Sequence, residues 1–246
     1  MDRLLQATAQ AERDHFWFKG FRRFVALLLA EAVRDRPEAA ILDCGCGTGH
    51  NLALLRQYGH ATGIDLTWTG LAFAHGRGER AIAQASATHL PFPDASFDVV
   101  TSFDVIYALP DDAEAAALGE MFRVMRPGGY LVLNVAAMDV LKGNHSVLSN
   151  EVRRYSRATL IERLTRAGFG VRRISYTNAT ILPLVAGVRL LQRVSGHQES
   201  QDEISIPPAP VNAILTAALT VEAALLRVVN MPFGSSLMAL AQRPNH

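Results

Sequence analysis

Cysteine is almost absent: the 246 residues hold two, Cys44 and Cys46. Two cysteines in one loop exclude a disulfide framework and point to a reducing, cytoplasmic setting. With no third or fourth cysteine to complete a zinc site, they read as small packing residues rather than ligands, and no metal is expected. Lysine is as scarce, limited to Lys19 and Lys142, and the net charge is only +1. Phosphate binding needs a clustered basic excess, so nucleic acid is not expected as a partner. Long apolar runs are missing too. The best candidate, Val211 to Val229, is interrupted by Asn212, Thr216, Thr220, Glu222 and Arg227, where a spanning helix needs about 20 predominantly apolar residues. The run from Phe24 to Ala30 lies behind Asp14, His15, Lys19, Arg22 and Arg23, which does not suit a signal peptide. Repeats and low-complexity tracts are lacking. What is present is 49% hydrophobic against 19% charged residues, enough for a large core.

The pattern along the chain alternates strands with helices. Helices are expected over 3–13 and 20–34, joined by His15-Phe16-Trp17-Phe18-Lys19-Gly20. A strand at 39–43 leads into Asp43-Cys-Gly-Cys-Gly-Thr-Gly49 and a helix at 51–57. Strands follow at 61–65, 81–85 and 97–102, with helices at 68–76 and 111–125. Arg126-Pro-Gly-Gly129 reads as a turn before a strand at 130–135. A helix at 158–166, closed by Ala167-Gly168, and strands at 171–176 and 235–241 complete the set; the last two strands are expected to pair. Such alternation argues for a doubly wound α/β fold, a mostly parallel sheet with helices on both faces.

The loop Asp43-x-Gly45-x-Gly47-x-Gly49 lies between a strand and a helix. Glycines there permit a tight turn and a close ligand approach, and a helix N-terminus offers free N–H groups. Asp65 closes the next strand, where an acid hydrogen-bonds ribose hydroxyls. A dinucleotide fingerprint needs a third small residue where this chain has His50. The charge of Asp43 would repel a pyrophosphate and suits a ligand carrying an ammonium group.

At this point the sequence resembles the class I S-adenosylmethionine-dependent methyltransferases. Ile41 to Gly49 is similar to their first motif, Asp65 to their second and Leu90 to Asp98 to the segment before their fourth strand. Ser102-Phe-Asp-Val-Ile106 is similar to their fourth motif, and Arg126 to Gly129 to the turn before their fifth strand. The opening His15-Phe-Trp-Phe-x-x-Phe-Arg-Arg23 resembles one subgroup. The resemblance implies a Rossmann-like methyltransferase fold and S-adenosylmethionine as cofactor. Asp43, Gly45, Cys46 and Gly47 would hold its methionine part, Asp65 its ribose and Leu66 its adenine. Ser86 and Ala87 stand where many members have Asp-Ala touching the adenine amine, and Phe103 of the fourth motif joins the cofactor set. Many relatives follow the fourth strand with an acid and a histidine; this chain has Tyr107-Ala108, so a general base is missing there. No Asn/Asp-Pro-Pro-aromatic motif is present, which disfavours adenine and glutamine nitrogens as acceptors.

Around this centre the residues leave choices open. The cluster at His15 to Phe18 is either a core joint or a lid, with Trp17 facing the sulfonium and Arg22 pairing the methionine carboxylate. Arg153, Arg154 and Arg157 are either a solvated face or an anion site for the acceptor. The substitutes for the missing base are Tyr107, Tyr155 and His145, and His145, near Asn144, has the suitable titration range. Its alternative is a structural bond to a loop carbonyl. Residues 178–234 interrupt what should be a hairpin, and Val211, Ile214, Leu215, Ala218, Val221, Leu225, Val228 and Val229 form an apolar stripe there, extended round the back by Leu219 and Leu226. The division expected is an N-terminal helical lid at 1–36, a cofactor-binding domain at 37–177 and 235–246, and a helical insertion at 178–234 that caps or dimerises. A membrane-surface role for 211–229 is the runner-up. The expected function is methyl transfer to a small-molecule or lipid-like acceptor. A nucleotide-binding module without activity, or a nicotinamide-dependent oxidoreductase, is the alternative.

Overall fold

A computed structural model describes residues 2–138, 151–184, 187 and 204–245. Seven strands form one sheet: β1 (Ala39–Cys44), β2 (Gly59–Asp65), β3 (Ile82–Gln84), β4 (Phe97–Phe103), β5 (Met125–Ala136), β6 (Gly170–Thr177) and β7 (Ser236–Gln242). Their order is β3-β2-β1-β4-β5-β7-β6. The first five run parallel, and β7 lies antiparallel between β5 and β6. The chain turns back at β1, so β1 and β4 are neighbours with their crossovers leading away in opposite directions. That junction is the topological switch point, where open α/β sheets bind ligands beyond the carboxyl ends of the strands.

Both faces are covered, which is why β1 and β4 read as nearly continuous apolar runs. One face packs Leu42, Val100, Leu131 and Leu133 against α5 (Asp111–Val124) and α6 (Arg157–Arg166) through Leu118, Met121, Leu160 and Leu164. The other packs Ile41, Val99, Val132 and Leu240 against Phe21, Phe24, Val25 and Leu29 of α2 (Phe16–Ala32). The preceding α1 (Asp2–Ala11) reaches the loop after β1, with Leu5 beside Gly47. The short α3 (Leu52–Leu55) and α4 (Trp68–Gly76) flank β2, and α7 (Ala209–Leu225) lies against α2.

Three expectations are corrected. The segment 15–20 does not join two helices but starts α2: His15 caps it by accepting the Trp17 amide at 3.1 Å, and Asn212 Oδ1 on α7 takes the Phe16 amide at 2.8 Å. Residues 126–129 lie within β5, which begins at Met125 with a register shift opposite Phe97 and Val99. In α7 the buried side is Leu215, Leu219, Glu222 and Ala223, while most of the apolar stripe faces outward. The reason is local. Leu219 fills the notch at Gly20, where an added Cβ would lie 2.3 Å from Leu219 Cδ1. Glu222 is wholly buried, accepting the Ala179 amide at 3.1 Å, the Thr180 amide at 2.9 Å and the Thr180 hydroxyl at 2.7 Å. The described part of the 178–234 insertion is thus tied to the end of β6 and to α2. β7 pairs with β6 as expected and with β5 as well.

Candidate functional site

The loop from Asp43 to Gly49 leaves β1 at the switch point. Gly45 has φ of 88°, and a Cβ there would lie 2.3 Å from Val105 Cγ2; the loops after β1 and β4 therefore touch only because residue 45 has no side chain. The loop's N–H groups, expected to be free, are mostly spent inside the fold. Gly45 and Cys46 both donate to the Ile64 carbonyl at 2.8 Å, and the Gly47 amide donates to Asp65 Oδ2 at 2.8 Å. Asp65 Oδ1 accepts the Thr67 amide at 2.8 Å and its hydroxyl at 2.5 Å. The helix that follows has only four residues. This loop offers no row of donors for a pyrophosphate.

It offers negative charge instead. Asp43 is buried, its Oδ1 accepts the Thr101 hydroxyl at 2.7 Å, and its Oδ2 has no hydrogen-bond partner among the described residues. Burial pushes its carboxyl up to about 7, the Thr101 bond works against that shift, and the charge of Asp65 adds to it. A buried carboxylate oxygen without a donor carries a full desolvation cost; a ligand ammonium would relieve it. Cys44 and Cys46 are free, buried thiols that burial and Asp43 push further from ionisation, so both pack as expected. Among the described residues no group of three or more His, Cys, Asp or Glu is arranged to hold a metal.

An aromatic wall rises from β4 to the N-terminal helices. Phe103 meets Phe21 edge-on at 5.2 Å, and Phe21 stacks on Trp17 at 5.4 Å with 7° between planes. Leu5 of α1 lies over Gly47, 3.5 Å from where its Cβ would be. A buried carboxylate, Glu12, fixes this cover to the loop. It accepts the Thr48 hydroxyl at 2.6 Å and pairs with Arg77, while its carbonyl accepts Arg22 Nη2 at 2.9 Å. Burial pushes Glu12 up, with Thr48, Arg77 and Arg22 opposing. The same crowding drives His50, 3.2 Å from Arg77, down to about 4. Arg22 is half-buried, and its one hydrogen bond among the described residues is to the Glu12 carbonyl.

The remaining expected residues fall as follows. Leu66 is 68% exposed just beyond Asp65. Ser86 and Ala87 are half-buried after β3, and the Ser86 hydroxyl is engaged with Thr88 at 2.8 Å. Tyr107, expected as a substitute base, has its side chain buried in the apolar cluster that holds Leu118 and Met121 of α5. Tyr155 is buried too, donating to Glu114 Oε1 at 2.8 Å. His145 and Asn144 lie outside the described residues. The arginines after β5 are braces rather than an open anion site. Arg153 pairs with Glu114 and Asp111, Arg154 with Glu151, and Arg157 donates to the Ile174 carbonyl. Sequence reasoning missed Glu12, three residues before His15, and Asp104, inside the quoted fourth motif. Each is an ordinary acid in sequence, and only the fold shows Glu12 buried and Asp104 half-buried.

A methyltransferase-domain family profile matches residues 42–133. A protein of Mycolicibacterium smegmatis named "Probable S-adenosylmethionine-dependent methyltransferase" is 33% identical over 162 residues, 64% of this chain and 61% of that protein. A demethylmenaquinone methyltransferase of Beutenbergia cavernae is 41% identical over 42% of this chain and 43% of its own. A bovine (Bos taurus) "Probable tRNA methyltransferase 9B" is 32% identical over 54% of this chain and 29% of its own. The chain therefore spans between about a third and three-fifths of these relatives' lengths. An S-adenosylmethionine-dependent methyltransferase from Thermotoga maritima shares the fold at 20% identity and a TM-score of 0.59, with 98% of each chain covered. The profile matches the glycine loop and the span from β1 into β5 to a methyltransferase domain, and these likenesses together support a place among the class I S-adenosylmethionine-dependent methyltransferases.

Proposed function

We propose that this chain transfers a methyl group from S-adenosylmethionine to a small-molecule or lipid-like acceptor. The observation that carries the reading is the unpartnered, buried Oδ2 of Asp43 beside a loop whose amides are already satisfied. This site repels a pyrophosphate and suits an amino-acid ammonium, which argues against the nicotinamide alternative. In the proposed arrangement Asp43 with Gly45, Cys46 and Gly47 holds the methionine part, Asp65 the ribose, Leu66 the adenine face, and Ser86 and Ala87 the adenine edge. Arg22 takes the methionine carboxylate. Phe103 and Trp17 line the path of the sulfonium, where an aromatic face favours a cation by roughly 0.5–2 kcal/mol. The bound cofactor supplies an electrophilic methyl group. The protein's part is orientation and exclusion of water, with α1 as the lid over Gly47.

The acceptor assignment rests on the outward face of the 178–234 insertion. Ile214, Val221, Leu225 and Val228 are exposed there, Val228 by 85%, an unusual apolar surface that we assign to capping an apolar acceptor. A second copy of the chain or a membrane surface is the other use of that face. No helix among the described residues is long and apolar enough to cross a membrane, and we place the protein in the cytoplasm. The relative named for tRNA favours a second reading, with tRNA as acceptor; the net charge of +1 and two lysines weigh against it. The first test is thermal stability with S-adenosylmethionine, S-adenosylhomocysteine or NAD⁺. A ligand at 100 times its Kd adds about 2.7 kcal/mol, and stabilisation by NAD⁺ alone would overturn the proposal. Transfer of a tritiated methyl group into lipid extract or into tRNA then separates the two acceptor readings.

A further inference from the structure

The C-terminal edge of β4 carries a carboxylate that the cofactor arrangement above leaves unused. Asp104 follows the last residue of β4 with φ of 59°, a conformation that asparagine and aspartate tolerate better than other side chains. Asn134 on β5 holds it twice: the Asp104 amide donates to the Asn134 carbonyl at 3.0 Å, and Asn134 Nδ2 donates to Asp104 Oδ1 at 2.9 Å. Asp104 Oδ2 makes no hydrogen bond and no ion pair among the described residues. The next residue, Val105, packs on Gly45, so Asp104 stands beside the glycine loop at the switch point. Strand alternation puts Asp43, Thr101, Phe103 and Asn134 on one face of the sheet, the face beneath Phe21 and Trp17. The bond from Asn134 keeps the Asp104 carboxylate over that face.

A carboxylate kept there has a cost. Burial pushes Asp104 up to about 7, the Asn134 bond opposes the shift, and the charge of Glu151 adds to it. The charged neighbours are otherwise engaged: Glu151 pairs with Arg154, and Asp43 is bonded to Thr101. Nothing positive among the described residues repays Asp104. In the proposed ligand the ammonium belongs with Asp43 and the carboxylate with Arg22, which leaves one positive centre, the sulfur.

We infer that Asp104 faces the sulfonium of bound S-adenosylmethionine and sets the preference for the charged donor over its neutral thioether product. The inference rests on the proposed cofactor reading. Its use is turnover. When the methyl group leaves, the C–S bonding pair stays on sulfur, the positive charge is lost, and the attraction to Asp104 goes with it, so product is held less tightly than donor.

The test is calorimetric titration of S-adenosylmethionine and S-adenosylhomocysteine into the full chain and into Asp104→Asn, at steps from pH 5.5 to 7.5, below the usual α-amino range. The two ligands share adenosine, ammonium and carboxylate, so contributions of Asp43, Asp65 and Arg22 cancel in the ratio of their affinities. In the parent, the preference for the sulfonium should grow about tenfold across this range as Asp104 ionises. In Asp104→Asn it should be flat and about tenfold lower at pH 7.5, with S-adenosylhomocysteine affinity unchanged. Asn is at home at positive φ and keeps the acceptor for Asn134, so the variant should fold. A preference that keeps its pH dependence in Asp104→Asn overturns the inference. A flat ratio in the parent does so without any variant. If neither ligand binds the parent, the cofactor reading itself falls.

Discussion

The amide of Gly47 donates to the carboxylate of Asp65 at 2.8 Å, so the acid at the end of β2 also anchors the glycine loop. Two variants separate these tasks. Asp65→Asn keeps one oxygen for the loop amide, turns an NH2 toward the Thr67 amide and loses the charge offered to the ribose. It should weaken S-adenosylmethionine binding by about 1.5–3 kcal/mol and lower the thermal midpoint by less than the alanine variant does. Asp65→Ala also orphans the amide and hydroxyl of Thr67 and should lower folding stability by about 1–3 kcal/mol as well. Calorimetry and thermal melts read both. Unchanged affinity in a folded Asp65→Asn would remove the ribose assignment.

Glu12 ties the covering helix to the loop through Thr48 and Arg77. Glu12→Gln keeps an acceptor for Thr48 and breaks the pair with Arg77, which should cost about 1–3 kcal/mol of stability. If α1 is a lid, the same change should speed dissociation of S-adenosylmethionine by about tenfold, the kinetic equivalent of roughly 1.4 kcal/mol. Trp17, stacked on Phe21, supplies a fluorescence signal for stopped-flow measurement. A destabilised variant with parental release kinetics would leave Glu12 a structural pair only.

Much of this fold was legible because its signals are local. The alternation of buried strands with helices, the Gly45 to Gly49 loop and Asp65 each announce themselves within one strand–helix–strand unit. What stayed hidden depends on residues far apart in the chain. The start of α2 at Phe16 needs Asn212, 196 positions away. The buried side of α7 is chosen by Gly20 and by the amides at 179 and 180, against the apolar stripe that periodicity favours. The loop's amides look free in sequence because their acceptors, Ile64 and Asp65, sit on the next strand. Asp104 was in view inside a motif, but its partial burial, and an oxygen left unpaired among the described residues, are properties of the β4–β5 junction.

Stability should depend only weakly on pH between about 4 and 6.5, because two pairs of groups oppose each other. His15 and His50 are held at about 4 instead of 6.5. Their contribution is present above 6.5 and is lost as pH falls toward 4, since the unfolded chain then binds more protons. Asp43 and Asp104 sit at about 7 instead of 3.8. Their contribution is full below 3.8 and is lost as pH rises through 7. Asp104→Asn removes one opposing group. It should match the parent near pH 4 and exceed it at pH 7.5 by on the order of 1–3 kcal/mol in urea unfolding. A variant whose advantage does not grow with pH would mean that Asp104 is not strained by its burial.

The described part of the insertion packs into the core beside α2. Leu219 occupies the space a side chain at residue 20 would need, and Leu215, Leu219, Ala223 and Leu226 share the cluster of α2. Gly20→Ala should push α7 from α2 and cost about 1–3 kcal/mol by overpacking. Replacing residues 178–234 with a short turn should cost more, exposing the face of α2 that carries Phe24 and Leu28, and binding of the cofactor should be lost with the fold. A shortened chain that melts cooperatively near the parental midpoint would show the insertion to be separable after all.

Arg22 offers the sharpest check on how the ligand lies. Its guanidinium is half-buried, its pKa is lowered chiefly by burial while Glu12 opposes the shift, and its hydrogen bond goes to a carbonyl, not a carboxylate. A half-buried cation with unused donors near the glycine loop is costly unless an anion completes it. The proposed anion is the methionine carboxylate. Arg22→Gln keeps a donor for the Glu12 carbonyl and removes the charge. Binding of S-adenosylmethionine should weaken by about 1.5–3 kcal/mol, the range of a charge-assisted contact. Binding of 5′-methylthioadenosine, which carries the adenosine and sulfur but no amino-acid carboxylate, should not change. Equal losses for both ligands would mean that Arg22 acts through Glu12 and the shape of the loop. Equal retention would place the methionine carboxylate elsewhere and leave Arg22 as a brace for the N-terminal helices.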